Sequence, residues 1–287
     1  MIMSRPILIA NHLTKRYGPG CPRCRDHTGA QHNSNQCQAC KTVIACDNVN
    51  LRVFPREVVG IVGESGSGKS TVIKLLHFDL DADGGEVFLE ANGKAKEFIP
   101  AEKNVLELST FRKRQLRNSV MGIVYQHPHL GLRMNISAGG NIAERLLMSG
   151  WRHVGDMRDR SALLLTRTEV PVERMDDLPR NFSGGMQQRV QISKALSNEP
   201  ALLLLDEVTT GLDVSVQARV LDLIRRLQQE LDVATLVVSH DLGVIRMLTT
   251  RTLVMKNGQV VESGLTDQVL EDPQHPYTQL LVSSALH

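Results

Sequence analysis

Gly63-Glu64-Ser65-Gly66-Ser67-Gly68-Lys69-Ser70 fits the pattern G-x-x-x-x-G-K-[ST], and its residue types suit one chemistry, the holding of a polyphosphate. Glycines let a loop curl until successive backbone N–H groups face phosphate oxygens, and a helix starting where the loop ends adds partial positive charge. Lys69 would then reach the β and γ phosphates of a nucleotide, Ser70 would offer a hydroxyl to Mg²⁺, and Thr71 would hydrogen-bond a phosphate. With average residue usage the pattern arises by chance in roughly one chain in a hundred. The flanking elements therefore decide between this reading and a plain glycine-rich turn.

Asp206 and Glu207 follow the apolar run Ala201 to Leu205, which puts two carboxylates at the end of a strand, where ligands of open parallel sheets gather. Asp206 would hold Mg²⁺ through water, and Glu207 would polarise an attacking water or accept its proton. An isolated Asp-Glu pair is common on loops; beside a phosphate loop it gains a task. A second constellation is Cys21-Pro22-Arg23-Cys24 and Cys37-Gln38-Ala39-Cys40, two C-x-x-C knuckles with twelve residues between them. Four thiolates suit a structural, tetrahedral Zn²⁺ at Cys21, Cys24, Cys37 and Cys40. The residues between the knuckles, among them Asp26, Gly29, Gln31, Asn33 and Ser34, cannot build an apolar core, so a metal would supply the folding energy. An iron–sulfur cluster or a redox-active thiol set are the alternatives; disulfides are disfavoured in a cytosolic chain. Cys46 reads as a spare buried cysteine, and His27 and His32 as solvated loop residues, since four cysteines already close the shell.

The elements that must position these groups are legible from periodicity. Val58 to Val62 is a short β-branched run and Ser70 to His77 has helical spacing, giving the order strand, glycine loop, helix. Ile7 to Leu13 alternates weakly, Val49 to Phe54 alternates clearly, and Glu86 to Leu89 and Gly122 to Tyr125 read as further strands around a basic amphipathic stretch, Arg112 to Arg117. From about Pro128 to Arg189 helical patterns dominate, which predicts a helical lobe over residues 127–190. Ala201 to Leu205 and Ala234 to Val238 flank a helix over Val214 to Leu231, and Thr252 to Met255 with Gln259 to Glu262 form a hairpin across Asn257-Gly258. The cysteine-rich stretch, residues 20–46, reads as an insert in one composite domain spanning 1–287.

Composition excludes little but is consistent. The 287 residues are 41% hydrophobic and 22% charged, enough for a sizeable core without large-scale disorder. Thirty-three basic residues against 31 acidic ones are too even to imply a nucleic-acid or membrane surface. The longest apolar runs are strand-length, well short of the roughly 20 residues that span a bilayer, and Met1 to Leu13 lacks the apolar core of a signal peptide. A cytoplasmic location is the expectation.

Ser183-Gly184-Gly185-Met186-Gln187, standing before Gln188-Arg189 and a helix, resembles the signature motif of the ATP-binding-cassette ATPases. With the phosphate loop and the Asp206-Glu207 pair, the resemblance covers nearly the whole chain outside the insert. It implies an α/β, P-loop nucleotide-binding domain of the cassette type with a helical subdomain, here carrying a zinc-ribbon-like insert. It also implies further site residues. Gln126 matches the glutamine that contacts Mg²⁺ and the attacking water, His240 the switch histidine on the γ-phosphate, Asp213 the aspartate at the dimer seam, and Tyr17 the aromatic residue stacked on adenine. Catalysis would fall to Glu207, His240 and Gln126, and Mg²⁺ to Ser70, Gln126 and Asp206. Ser183, Gly184, Gly185 and Gln187 of one protomer would address the γ-phosphate held by another, in a homodimer or a cassette-type heterodimer. One position departs from the family: proline usually follows the catalytic glutamate, and Val208 stands here.

The ending His275-Pro276-Tyr277-Thr278-Gln279-Leu280-Leu281 is similar to two branches, peptide and nickel importers and the cassette subunit of the carbon–phosphorus lyase complex, which breaks down phosphonates. Gln126-His127-Pro128 with Gly131-Leu132-Arg133, the run Ser137 to Leu146, and Asp213 to Arg219 with Val260 to Asp267 resemble the lyase subunit. The chain also stops at His287, where importer subunits usually continue. The expected partners are thus the lyase core subunits, with no nucleic acid and no membrane insertion, and the motor of an importer is the alternative.

Overall fold

The computed structural model describes residues 5–90 and 103–285; the first four residues, the segment 91–102 and the last two residues of the expected 1–287 domain lie outside this range. Two sheets organise the chain. Strands β1 (Leu8–Tyr17), β2 (Val43–Val53) and β4 (Gly84–Leu89) form an antiparallel sheet in the order β2-β1-β4. The second sheet has the order β5-β6-β7-β3-β8-β9, from β3 (Val58–Val62), β5 (Met121–Val124), β6 (Leu202–Asp206), β7 (Ala234–Ser239), β8 (Arg251–Lys256) and β9 (Gln259–Leu265). Its neighbours run parallel up to β8, in registers such as Met121 opposite Leu202, Leu202 opposite Ala234 and Val58 opposite Thr235. Only β8 and β9 are antiparallel, joined through Asn257 and Gly258 at φ 49° and 83°, as the Asn-Gly pair predicts.

The parallel strands read as unbroken apolar runs because both faces are covered. Successive side chains point to opposite faces, and β6 divides accordingly. Leu202 and Leu204 join the cluster of α1 (Lys69–Leu76) and the antiparallel sheet, whereas Leu203 and Leu205 join the cluster under the helices. The same split places Val59 and Ile61 of β3 on one side and Val58 and Val62 on the other. Gly60 lies between them, where a Cβ would come within 3.1 Å of Ile245, so the helix α8 (Leu242–Leu248) packs directly on the strand.

The basic stretch is helix α2 (Thr110–Ser119). Between β5 and β6 the described residues form helices and 3-10 turns only: α3 (Pro128–Gly131), α4 (Ala138–Met148), α5 (Val154–Arg167) and α6 (Gly184–Leu196). Helix α6 runs beyond the expected lobe boundary at 190 because its buried face, including Val190, Ile192, Ala195 and Leu196, belongs to the core beneath the sheet. Helix α7 spans Val214–Leu231, as its spacing predicts, and α9 (Thr266–Glu271) and α10 (Pro276–Ala285) close the chain. Side-chain caps set several starts: Ser183 accepts from the Met186 amide at 3.4 Å, and Asp213 from that of Val216 at 3.0 Å.

Two strands differ from expectation. β1 continues to Tyr17 through register shifts after Ala10 and Leu13, with His12 at φ 53°, and this bulging blurs the alternation in sequence. β2 begins at Val43 rather than Val49, since Val43 and Ile44 pair with Tyr17 and Arg16. The cysteine-rich segment outside the strands is therefore Gly18 to Thr42, a loop between paired strand ends.

Candidate nucleotide-hydrolysing site

Strand order brings the sequence candidates to one edge. Gln126 follows β5, Asp206 and Glu207 end and follow β6, His240 follows β7, and the loop Gly63 to Gly68 follows β3, so four adjacent strands deliver them at their carboxyl ends. The loop is fixed from below. A Cβ at Gly63 would meet the Met255 carbonyl at 2.2 Å, and one at Gly68, which has φ 105°, would meet the Ala45 carbonyl at 2.1 Å. Lys69 is buried, and its ammonium donates to the carbonyls of Gly63 and Glu64, each at 2.8 Å. Burial pulls its pKa down, against the pull of Glu207, Asp206 and Glu64. Ser70 and Thr71 lie in the first turn of α1.

Ser70 Oγ donates to Asp206 Oδ1 at 2.8 Å. Burial, and secondarily the charge of Glu207, push the Asp206 carboxyl above the usual carboxylate range, while the Ser70 hydrogen bond, Lys74 and Lys69 oppose the rise. A buried carboxylate with a hydroxyl alongside is a donor set that fits a hard divalent cation such as Mg²⁺. Glu207 is held at φ 48°, a conformation bulky residues adopt rarely, with its N–H on the Val238 carbonyl at 2.9 Å. Its Oε2 lies 3.3 Å from Gln126 Nε2, 3.2 Å from Thr210 Oγ1 and 3.2 Å from His240 Nδ1. Three strands thus converge on one carboxylate oxygen. Val208, at the departure from the family pattern, is buried in the core under the helices.

Several contributors carried no isolated signal in sequence. Gln191 accepts from the Tyr125 amide at 2.7 Å and donates to its carbonyl at 3.1 Å, and Gln188 reaches the same carbonyl at 3.4 Å. This pair, both buried in α6, fixes the backbone next to Gln126; two glutamines on a helix's core face were the available clue. Thr210 supports Glu207, and the Tyr277 hydroxyl accepts from the Glu64 amide at 3.1 Å, so the chain's last helix touches the phosphate loop.

The second glycine turn lies apart. Ser183 and Gly184 are exposed at the start of α6, and among the described residues no hydrogen bond joins Ser183 to Gln187 with the phosphate loop. Gly185 is required by packing, since a Cβ there would meet Val216 Cγ1 at 2.4 Å. The Gln187 amide donates to the carbonyls of Pro179 and Phe182 at 3.0 and 3.1 Å and braces the turn. Asp213 is exposed; the Val216 amide and then the Ser215 hydroxyl hold its carboxyl below the usual range. Tyr17 ends β1 and is 45% exposed, available for stacking.

The four knuckle cysteines converge. Their sulfur atoms all lie within 4.8 Å of one another, with Cys21 to Cys24 and Cys21 to Cys37 at 3.7 Å and Cys24 to Cys40 at 3.4 Å. Metal–sulfur bonds of ~2.3 Å in a tetrahedron separate sulfurs by ~3.8 Å, so the set fits a zinc-sized ion; a disulfide needs ~2.05 Å. All five cysteines are free thiols. Burial pushes the Cys21 thiol up, whereas the Thr42 side chain and amide hold Cys40 below the usual thiol value. Burial likewise pushes Cys46 up to about 12, and its sulfur lies outside the cluster, as expected of an inert thiol.

The ABC transporter family matches residues 46–210. A protein of Escherichia coli provisionally named the phosphonates utilization ATP-binding protein PhnK is 47% identical over 99% of this chain and 99% of its own length. A protein of Brucella abortus provisionally named a peptide import ATP-binding protein is 37% identical over 84% of this chain and 71% of its own length. Among solved structures, the dimeric post-hydrolysis state of the ATP-binding cassette MJ0796 with ADP and Pi matches with a TM-score of 0.73 and 26% identity, covering 90% of this chain and 98% of that one. Among the described residues no helix is long and apolar enough to cross a membrane.

Proposed function

Because the chain belongs to the ABC transporter family of ATPases, we propose that it is the Mg-ATP-hydrolysing cassette of a carbon–phosphorus lyase complex. ATP-driven dimerisation and hydrolysis remodel the phosphonate-cleaving core. The observation that carries this reading is the span of the similarity: 47% identity to the phosphonates utilization protein runs through 99% of both chains. The second reading, the motor of a peptide or nickel importer, is favoured by the 37% identity to the peptide import protein over 84% of this chain.

In the proposed mechanism the phosphate loop and Lys69 bind the triphosphate, with Tyr17 against the adenine. Ser70, Asp206 and Gln126 would hold Mg²⁺, which supplies charge neutralisation along the phosphates. Glu207 takes the proton of the attacking water through the Oε2 atom that Gln126, Thr210 and His240 surround. His240, half-exposed beside it, orients the water and donates to the γ-phosphate as charge develops. The turn Ser183 to Gln187, exposed at its first two residues, and Asp213 complete the site of a second cassette, which makes ATP the glue of a dimer. The cysteine lobe would hold a structural Zn²⁺ through Cys21, Cys24, Cys37 and Cys40, whose sulfurs lie within 4.8 Å of one another.

Affinity isolation from the native cell, followed by mass spectrometry, tests the reading. Phosphonate-cleaving core subunits in the cytoplasmic fraction are the expected companions. Recovery of a membrane permease in their place overturns it in favour of the importer.

A further inference from the structure

A phosphate loop works only if its peptide planes are fixed before the nucleotide arrives, and this one is fixed unevenly. At Gly63 and Gly68 the backbone rests against the carbonyls of Met255 and Ala45. Gly66, at the tip with φ 81°, has nothing within 4 Å of the position a Cβ would take. One side chain reaches it: Asn35 Nδ2 donates to the Gly66 carbonyl at 3.2 Å. In a planar trans peptide the carbonyl and the following N–H point in opposite directions, so this plane is held at both ends, the Gly66 oxygen by Asn35 and the Ser67 amide by the Glu64 carbonyl at 3.2 Å.

Asn35 belongs to the cysteine lobe. It stands two residues before Cys37, its carbonyl accepts from the Ile44 amide at 2.7 Å, and Gln36 bridges to Val43. The lobe is docked on its other side by Gln259, which accepts from the Ala30 amide at 3.0 Å and donates to Asp47 at 2.9 Å. Its buried apolar cluster holds only Cys24, Cys37 and Ile44, with Cys21 and Cys40 against it. So small a core cannot order 25 or so residues, each of which costs roughly 1–2 kcal/mol of backbone entropy. The thiolate cross-link, together with the pairing to β2, therefore sets where Asn35 sits.

We infer that the metal-bound cysteine lobe is a positioning element of the nucleotide site and that Asn35 is the residue through which it acts. The inference rests on the zinc and ATP readings above. Loss of the metal loosens the Asn35 side chain, the tip of the loop loses one of its two restraints, and nucleotide affinity falls while the carboxylate machinery at the strand ends stays intact.

The test uses the full chain, with zinc counted by a colorimetric chelator and ATP turnover measured against ATP concentration. Asn35→Ala should keep one zinc per chain and raise KM for ATP about fivefold, the size of one lost hydrogen bond, with kcat within twofold of the parent. Asn35→Asp, similar in size but unable to donate, should raise KM at least as much. Cys37→Ser should lose zinc and reproduce the KM change. A zinc-loaded Asn35→Ala protein with unchanged KM overturns the inference by itself, as does a fall in kcat at constant KM. Parent protein purified without zinc overturns the metal reading and the inference with it, and failure of the parent to hydrolyse ATP is the separate failure of the nucleotide reading.

Discussion

Two turns in this chain are built from the same parts, glycine, serine and the first turn of a helix, and they differ in their surroundings. The loop Gly63 to Ser70 sits over the sheet with a buried lysine, two strand-end carboxylates and packing so close that Gly63 and Gly68 admit no Cβ. The turn Ser183 to Gln187 is exposed at its first two residues, and the hydrogen bonds that fix it run to its own flanks. An anion-facing turn becomes half a site or a whole one according to what the fold puts beside it. In the proposed mechanism the first turn binds a nucleotide within one chain, and the second acts only across a second cassette.

The largest effect expected is at the carboxylate the first turn shares. Glu207→Gln keeps the size and hydrogen-bonding reach of the side chain but cannot take a proton, so turnover should fall by about 10²–10⁴-fold, the usual worth of a general base. Mg-ATP binding should persist, and the ATP-bound dimer should accumulate in size-exclusion chromatography. Full turnover in this variant would remove Glu207 from the chemistry.

Next is a substitution that tells the two turns apart. Gly184 is exposed and a Cβ there would lie 3.5 Å from Leu212, an ordinary contact, so Gly184→Asp should fold normally. Its charge would face the γ-phosphate bound by the partner, and turnover should drop roughly 10²-fold with monomer affinity for ATP unchanged by calorimetry. Gly185→Ala, one residue on, should instead lower the melting temperature, because its Cβ would press within 2.4 Å of Val216 Cγ1. If Gly184→Asp weakens binding to the isolated monomer, the second turn serves its own chain and the comparison fails.

Much of this arrangement is legible in sequence, and the illegible parts share a physical cause. The phosphate loop, the strand Val58–Val62 and the helix Val214–Leu231 follow from local pattern, since local pattern is what makes them. Cysteine spacing likewise announces a cluster that the fold brings within 4.8 Å. The gathering of Gln126 and His240 on one oxygen of Glu207 depends on the order β5-β6-β7, a long-range fact that no window of residues contains, whereas Thr210 reaches the same oxygen from only three positions on. The same holds for Asn35 on Gly66 and Tyr277 on Glu64, contacts across 31 and 213 positions. β1 was obscured for a different reason: its bulges at His12 and beyond break the period that reveals a strand.

The smallest effect expected separates what the site does for catalysis from what it does for the fold. Asp206 is 6% exposed, and burial raises its carboxyl pKa above the ordinary value, so the folded chain holds that proton more tightly than the unfolded chain does. The sign follows from linkage: the group favours folding below the unfolded pKa and opposes it as pH rises past the folded one. At neutral pH without cation or nucleotide, the ionised carboxylate therefore works against the fold. Asp206→Asn removes the charge and still offers an oxygen to the Ser70 hydroxyl, 2.8 Å away in the parent. Its melting temperature should exceed the parent's by a few degrees, on the order of 1 kcal/mol in a domain of this size. The gap should close as pH falls towards the ordinary carboxylate range, and added Mg-ATP should stabilise the parent far more than the variant. A variant that melts below the parent in the bare protein would mean that Asp206 was placed for packing, and the first turn would lose its claim to a cation.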